Sequence, residues 1–273
     1  MHPELVRIGP VIVSSYGLML ALSFIIGISL STRLAAKRGV SKDDVINLAF
    51  VIMLSAIVGA RLMYVVFHLD EFRGRWEYTF LPIQRDGSIG LSGLVLLGGV
   101  IGALLAGLVY IKYKKLPFWK ISDSIAPSLA LGIFLGRIGC FLNGCCFGKA
   151  CDLPWGVQFP PTSPAGAIMG PVHLHPTQLY SSFYGLIIFG VLMWLERRQP
   201  QPGTLSAVFL VLYGVARFTV DFFRFYESQM FVFPGLDVNQ LISLVMLGTG
   251  AMLLWKKRLL PRASEPETPS LDA

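Results

Sequence analysis

The chain has 273 residues, of which 54% are hydrophobic and only 14% are charged, and its mean hydropathy is +0.63. A soluble globular domain carries about a quarter charged residues, so this composition excludes an ordinary soluble protein. The formal net charge is +7, but the basic residues collect between the apolar blocks, where they anchor a membrane protein. The charge therefore gives no reason to expect a nucleic-acid partner.

Apolar residues occur in seven blocks, each long enough to cross a hydrocarbon core of about 30 Å. The first block is too long for a signal-peptide core and its positive charges follow it, so we expect a retained helix. We expect one transmembrane domain over residues 1–262 and a disordered cytoplasmic tail over 263–273. The predicted spans are 15–35, 46–67, 92–112, 121–141, 176–195, 204–223 and 236–255.

The loops predict the orientation of this all-α integral membrane fold, because cytoplasmic loops are rich in lysine and arginine. One set of loops holds fourteen such residues, and the other, longer set holds seven. The N-terminus is therefore predicted to lie outside and the C-terminus in the cytoplasm, in a multi-pass protein of the bacterial inner membrane. The fourteen residues fall within 33–42, 112–120, 197–198 and 256–262.

Polar and ionisable side chains occur at one predicted depth, near the outer ends of the spans. An ionisable group in the hydrocarbon region is costly unless it is paired or hydrated, so it marks a candidate site. These residues are Tyr16, Arg61, Tyr64, Arg137, Asn143, His175, Gln178, Arg217 and Asp221. Arginine presents a planar fork of donors to phosphate, so the set predicts a site for an anionic phospholipid headgroup.

Each of these residues also has a purely structural explanation. Arg217 and Asp221 are four residues apart and can pair along one helix face. Arg61 and Arg137 can extend to lipid phosphates at the membrane surface, and the tyrosines can be interfacial anchors. We favour a site because three arginines would otherwise have to gather at one depth by accident.

Four cysteines lie within twelve residues at the end of the fourth span, and three interpretations stay open. They can form disulfides on the oxidising face, they can be free and partly buried thiols, or they can bind a metal ion. The spacing lacks a CxxC pair, and the nearest histidines, His173 and His175, are over twenty residues away, so no metal is expected. The cysteines are Cys140, Cys145, Cys146 and Cys151.

Short motifs are spread in a fixed order over nearly the whole of residues 3–255. They are Tyr16-Gly17-Leu18-Met19, Gly59-Ala60-Arg61-Leu62 with Tyr64, Asp123 with Ala126-Pro127, Gly136-Arg137-Ile138-Gly139-Cys140-Phe141-Leu142-Asn143-Gly144, Trp155-Gly156-Val157-Gln158-Phe159-Pro160, His175-Pro176-Thr177-Gln178-Leu179-Tyr180, and Tyr213-Gly214 with Arg217 and Asp221-Phe222-Phe223-Arg224. Together they resemble the prolipoprotein diacylglyceryl transferase family. The resemblance implies a seven-helix fold with its N-terminus outside.

The resemblance also implies a reaction, the first step of bacterial lipoprotein maturation. A diacylglyceryl group moves from phosphatidylglycerol to the thiol of the lipobox cysteine in a preprolipoprotein signal peptide, and glycerol phosphate leaves. The attacking species is a thiolate, and the departing phosphate needs positive charge to receive its negative charge. The expected partners are this peptide and membrane lipids, and no cofactor is required because the lipid carries its own leaving group.

By the same resemblance, Arg137 and Arg217 hold the phosphate. Tyr213 and His175 complete the expected catalytic set, with His175 as the remaining base; its structural alternative is a hydrogen-bonded histidine at a helix entry. Other residues are expected to bind the lipid or to orient the arginines. They are Tyr16, Arg61, Gly98, Gly99, Asn143, Gln178 and Asp221, of which Asp221 stands where the family usually has Glu.

Three further positions depart from the family pattern. Leu97, just before Gly98 and Gly99, stands in place of the usual His or Tyr, and Cys140 and Cys145 stand in place of the usual Asn and Glu. The two glycines also have the small-residue spacing of close helix packing. Two alternatives to the main function stay open: a divergent paralogue with another acceptor, in which arginines lower the pKa of the thiol, and a phospholipid-binding protein without chemistry.

Overall fold

The structure, a computed structural model, describes residues 4–8, 11–72, 95–226, 231–233 and 236–259. The predicted tail at 263–273 lies outside these residues. The described helices are α1 (Ser15–Lys37), α2 (Lys42–Phe67), α3 (Leu69–Phe72), α4 (Leu96–Tyr113), α5 (Phe118–Asn143), α6 (Pro164–Met169), α7 (Thr177–Glu196), α8 (Thr204–Asp221) and α9 (Val238–Leu259).

Seven of the described helices, all except α3 and α6, are long and apolar enough to cross a membrane. Much of their apolar surface is exposed: Ile25 is 66% exposed, Leu104 61% and Val66 61%. An apolar surface of this extent on the outside of a helical bundle faces lipid rather than water. The predicted all-α, seven-span membrane fold is confirmed.

Capping residues mark the start of α1 and α2 and the end of α5. The Ser14 hydroxyl accepts a hydrogen bond from the Gly17 N–H (3.0 Å) at the start of α1. The Ser41 hydroxyl accepts from the Asp43 N–H at the start of α2, which is why α2 begins four residues before the predicted span. Gly144 ends α5 in the left-handed conformation, with φ at 72°, as glycine commonly does after a helix.

Helix α5 lies at the centre of the bundle and packs against α1, α7 and α8. The remaining helices form outer pairs, α2 with α4 and α8 with α9. We call the end of the bundle where α1 begins the upper end. At this end α5 and α8 also end, and α7 begins. A Cβ on Gly139, near the end of α5, would lie 3.3 Å from the Cα atom of Tyr16 at the start of α1. The Lys149 N–H, in the segment between α5 and α7, donates to the carbonyl of Phe223, which follows α8 (2.8 Å).

The backbones of α2 and α4 meet directly along a seam at Gly59, Gly98 and Gly102. A Cβ atom on Gly98 would lie 2.3 Å from the carbonyl oxygen of Gly59, and one on Gly59 would lie 2.4 Å from that of Gly98. A Cβ on Gly102 would lie 2.5 Å from the Ser55 carbonyl oxygen. Because real atoms do not approach so closely, only glycine fits at these three positions and the two backbones touch.

Three small antiparallel strand pairs are described. They are β1 (Glu4–Ile8) with β2 (Val11–Ser14), β3 (Val157–Gln158) with β4 (His173–Leu174), and β5 (Phe231–Phe233) with β6 (Leu236–Asp237). The segment between α5 and α7, which contains β3, α6 and β4, has its own small core of Phe147, Phe159, Ala165 and Leu174. This packed segment fixes the chain that leaves α5 and enters α7.

Candidate active site

Three thiols meet just beyond the C-terminus of α5. The Sγ atoms of Cys140, Cys145 and Cys146 all lie within 4.8 Å of one another. The chain turns back after α5 because Gly144 and Cys146 both have positive φ, 72° and 60°, and the Cys145 N–H donates to the Cys140 carbonyl (3.1 Å). All four cysteines, including Cys151, are free thiols in the structure. Of the three interpretations, disulfides have no support here.

The first turn of α7 holds this cysteine turn in place. The side-chain amide of Gln178 donates to the Cys145 carbonyl (2.8 Å), and the Thr177 hydroxyl donates to the Cys146 carbonyl (3.0 Å). Gln178 and Thr177 are almost completely buried, at 0% and 1% exposed. The Gln178 Oε1 atom has no hydrogen-bond partner among the described residues. Buried bonds of this kind fix the backbone from which the thiols project.

The Arg137 side chain lies one turn before this cluster, on the same helix. It is half-buried and interacts electrostatically with Cys140, Cys146, Tyr184 and Tyr213. The Tyr184 and Tyr213 rings, from α7 and α8, meet edge to face at 6.1 Å between centroids. The Arg137 guanidinium therefore has both thiols and phenols as neighbours.

Tyr16 brings α1 to the same place. Its side chain interacts electrostatically with Arg137 and with the three clustered cysteines, and it is 39% exposed. The Asn143 side chain, on the last residue of α5, forms a hydrogen bond with the Cys145 side chain. Two of the residues predicted to orient the headgroup or the arginines therefore contact the cysteine cluster.

The second predicted phosphate ligand, Arg217, is held by a hydrogen-bond triangle at the end of α8. Its guanidinium donates to Asp221 Oδ1 (2.5 Å) and to the Tyr226 hydroxyl (2.7 Å). The Tyr226 hydroxyl donates in turn to Asp221 Oδ1 (2.5 Å). Burial, followed by this bond, raises the pKa of Tyr226, so it stays a neutral donor. The predicted pairing of Arg217 with Asp221 is confirmed.

Tyr184 joins the two arginines. It interacts electrostatically with both Arg137 and Arg217, although these belong to α5 and α8. A third guanidinium, that of Arg224, interacts with Cys146 and lies 5.2 Å from the centroid of the Tyr226 ring. The upper end of the bundle thus gathers three guanidinium groups beside three thiols and several half-buried phenols, and guanidinium groups are the donors that suit an anion.

The Cys146 thiol lies among groups that lower its pKa. Hydrogen bonds with the Cys140 and Cys145 thiols, helped by nearby Arg224 and Arg137, hold the pKa of the Cys146 thiol well below its usual range. The positive charges of Arg224 and Arg137 favour the ionised form of this thiol.

Other predicted site residues have different neighbours. Arg61 lies over the rings of Tyr64 (5.6 Å) and Phe72 (5.4 Å). His175 Nδ1 lies 3.2 Å from the Tyr180 hydroxyl, and its ring packs on Phe223 at 5.1 Å. The roles of Arg61 in lipid binding and of His175 in catalysis stay predictions.

The remaining predicted positions lie on α4. Gly98 and Gly99 are buried against α2, which supports their close-packing alternative, while their contact with lipid stays a prediction. Leu97, the position that departs from the family pattern, is 57% exposed on the helix surface.

Two residues at the site, Tyr184 and Tyr226, were not predicted from the sequence, and Cys146 was named only as one of four clustered cysteines. Tyr184 sits in an apolar span where a tyrosine is unremarkable, and Tyr226 lies beyond α8 in a connecting segment. The available signal was Tyr-Gly, which occurs at 16–17, 184–185 and 213–214. All three tyrosines of these pairs interact with Arg137, so this dipeptide marked the site.

Comparison with known proteins identifies the same family over the whole of this architecture. The family model described as "Prolipoprotein diacylglyceryl transferase" matches residues 3–256. Proteins named phosphatidylglycerol–prolipoprotein diacylglyceryl transferase are similar to the chain. One from Acaryochloris marina is 34% identical and covers 97% of this chain and 94% of its own; one from Nostoc sp. is 35% identical over 95% and 92%; one from Clostridium tetani is 34% identical over 82% and 86%.

The match runs through α1, with Tyr16, to α9, and it includes both arginines that share Tyr184. Because the family model covers far more than half of the chain, and relatives above 30% identity cover nearly all of it, the assignment does not depend on any single motif. The chain belongs to the prolipoprotein diacylglyceryl transferase family.

Proposed function

We propose that the chain transfers the diacylglyceryl group of phosphatidylglycerol to the thiol of a lipobox cysteine in a preprolipoprotein, at the inner membrane of a bacterium. The observation that supports this most is the gathering of Arg137, Arg217 and Tyr184, from three helices, at one end of a membrane-spanning bundle. The full-length match to transferases of this name supports the reaction.

The reaction requires positive charge where the leaving group departs. The thiolate sulfur forms a bond to the glyceryl carbon while the bond from that carbon to the phosphate oxygen breaks, and the electron pair leaves with glycerol phosphate. A guanidinium accepts this charge through two parallel hydrogen bonds. We assign both Arg137 and Arg217, which share the neighbour Tyr184, to the phosphate.

The neighbours of the arginines limit how these side chains can move. Asp221 and Tyr226 bind two nitrogens of Arg217, so the guanidinium presents a defined edge to the lipid. Tyr213 and Tyr16 border Arg137 and are suited to hydrogen-bond the headgroup. Preorganised donors of this kind accelerate a reaction because they need not reorient as charge develops.

The test is complementation in bacterial cells depleted of their own transferase. We expect the wild-type chain to add a diacylglyceryl group to a model preprolipoprotein, detected as a mass increase on its lipobox cysteine. Arg137→Ala and Arg217→Ala should each reduce the rate by about 10²-fold or more, because each removes a donor from the departing phosphate. Arg33→Ala, an exposed arginine near the other end of α1, is the matched control.

Two outcomes would contradict the proposal. If purified chain binds phosphatidylglycerol vesicles but no adduct forms in cells, the non-catalytic lipid-binding alternative holds. The assignment of Arg137 and Arg217 to the phosphate is wrong if both alanine variants express at the level of Arg33→Ala and still transfer at the wild-type rate.

A further inference from the structure

The three-cysteine cluster has the dimensions of a metal site. Zinc bound by thiolates has Zn–S bonds of about 2.3 Å, which separate tetrahedral ligands by about 3.8 Å. The Sγ atoms of Cys140, Cys145 and Cys146 all lie within 4.8 Å of one another, so small side-chain rotations suffice. A disulfide would require two of them to approach to about 2.05 Å, and all three are free thiols.

Buried hydrogen bonds hold the backbone around the cluster in place. The carbonyls of Cys145 and Cys146 are bound by Gln178 and Thr177, and the fully buried Gln178 keeps a second polar atom, Oε1, without a partner among the described residues. Outer hydrogen bonds that fix the ligand-bearing backbone are typical of protein metal sites.

We propose that Cys140, Cys145 and Cys146 bind one zinc ion as three thiolates, and that the open fourth position takes the thiol of the acceptor cysteine. The second part rests on the proposed function. Zinc fits because thiolates bind it in a tetrahedral site, and three protein ligands leave one exchangeable position. Copper(I), which also prefers soft sulfur ligands, would be satisfied by three thiolates and would leave no position for an acceptor.

The position of the cluster explains what this ion would contribute. Arg137, assigned above to the phosphate, interacts with Cys140 and Cys146, and Tyr16 interacts with all three cysteines. An acceptor sulfur at the open position would lie next to the guanidinium that receives the leaving group. Nucleophile and leaving group would then meet on the two sides of one glyceryl carbon.

The step balances without a further reactant. On binding zinc, the acceptor thiol releases its proton to water, since a coordinated thiol is deprotonated. The sulfur then forms the bond to the glyceryl carbon, the carbon–oxygen bond to the phosphate breaks, and its electron pair leaves on glycerol phosphate. The zinc ion keeps its charge and its three cysteines, and the neutral thioether leaves the fourth position.

This site was not expected from the sequence, because the spacing of the three cysteines, four residues between the first two and none between the last two, is not a CxxC pattern. The left-handed turns at Gly144 and Cys146 bring the sulfurs together, and spacing along the chain does not reveal such turns. The site also gives the acceptor thiol a means of activation that does not need His175, whose ring contacts Tyr180 and Phe223.

The first test measures metal in the purified full-length chain by mass spectrometry. We expect about one zinc ion per chain, and at least a tenfold loss in Cys140→Ala, Cys145→Ala and Cys146→Ala. Cys151→Ala, the fourth and unclustered thiol, and His175→Ala should keep their zinc. Because a cysteine variant can misfold, wild-type chain is also stripped with a chelator and reloaded with zinc, and it should recover one ion.

The second test addresses the open position. Wild-type chain reloaded with cobalt(II) should show the strong near-ultraviolet band of thiolate-to-cobalt charge transfer. Adding a lipobox peptide should intensify and shift this band, whereas the same peptide with Ser in place of its cysteine should not. No response to the cysteine peptide would overturn the acceptor position, and bound copper in place of zinc would overturn the choice of metal.

The outcomes separate this inference from the proposed function. Failure of stripped wild-type chain to rebind zinc, or a disulfide among the three cysteines in freshly purified chain, overturns the site whatever the activity is. Zinc binding without any diacylglyceryl adduct in cells supports the site and contradicts the transferase. Undiminished transfer by the chelator-stripped chain supports the transferase and overturns the role of the metal in it.

Discussion

The charge on Arg217 is retained inside the bundle because two oxygens compensate for it. Its side chain is 11% exposed and that of Asp221 is 1% exposed, and the Tyr226 hydroxyl bonds both. A buried ion pair adds little stability by itself, but removal of one partner leaves an uncompensated charge. The three residues therefore stabilise one another. Substituting the carboxylate and the phenol should lower the unfolding free energy by different amounts.

Asp221→Ala should lower the unfolding free energy by about 3–5 kcal/mol, because Arg217 keeps its charge without a counterion. Tyr226→Phe should cost only about 1 kcal/mol, the usual net value of one hydrogen bond. Thermal unfolding in detergent, followed by tryptophan fluorescence, measures both, with the exposed Asp152→Ala as control. An equal or larger loss for Tyr226→Phe would show that the phenol, not the carboxylate, compensates the guanidinium.

At this scale the sequence predicted the charged part of the site better than its neutral part. An arginine in an apolar span, such as Arg137, is rare enough to attract attention because burying a charge is costly. Tyrosine has no such penalty, so Tyr184 could not be separated from interfacial or packing tyrosines. Cys146 was noticed, but its left-handed backbone, with φ at 60°, is set by tertiary contacts that no local pattern records.

Helix α8 begins against a carboxylate supplied by α5. Asp123 is 0% exposed; its Oδ2 accepts from the Gly203 N–H (2.6 Å), and its Oδ1 accepts from the N–H and hydroxyl of Ser206 (2.9 and 2.8 Å). The first N–H groups of a helix lack partners within the helix, and a negative charge suits its positive end. One side chain thus fixes the position of α8, and with it Arg217, relative to α5.

Asp123→Ala should therefore destabilise the bundle by about 2–4 kcal/mol, because it leaves buried donors at the start of α8 unsatisfied. Asp123→Asn, which keeps an acceptor oxygen, should cost less. Unfolding midpoints measured as above, again beside Asp152→Ala, give the order. If Asp123→Asn proves as harmful as Asp123→Ala, the charge rather than the hydrogen bonds stabilises the junction.

Element by element, hydropathy was sufficient to predict the seven spans, because a hydrocarbon core demands length and apolarity of every crossing helix. Hydropathy could not predict the short strands and helices between the spans. Strands β3 and β4 contain two residues each, too few to show an alternating pattern. They are held instead by the small core around Phe159 and Leu174, which depends on the fold of the whole segment.

The candidate active site and the basic residues that follow α1 lie at opposite ends of the bundle. The site lies at the upper end, where α1 begins, while Arg33, Lys37 and Arg38 end α1 at the other. The basic end also carries a buried ion pair between Arg38 and Glu196. The positive-inside rule predicts that this end lies in the cytoplasm, and the site is then predicted to face the compartment in which exported preprolipoproteins appear.

This orientation is testable with reporters fused to the C-terminus of the full chain. Green fluorescent protein placed there should fluoresce, and alkaline phosphatase placed there should be inactive, because the first matures in the cytoplasm and the second outside it. The two reporters serve as controls for each other. An active phosphatase with a dark fluorescent fusion would reverse the predicted topology and move the site to the cytoplasmic leaflet.

The glycine seam between α2 and α4 decides where a lipid can enter. Two backbones in direct contact at Gly59 and Gly98 leave no gap that an acyl tail could slide through. The bundle is therefore closed to lipid between α2 and α4 at these two residues. A phospholipid that diffuses toward Arg137 is therefore not expected to pass between α2 and α4 at these residues, and bulkier side chains there should separate the two helices.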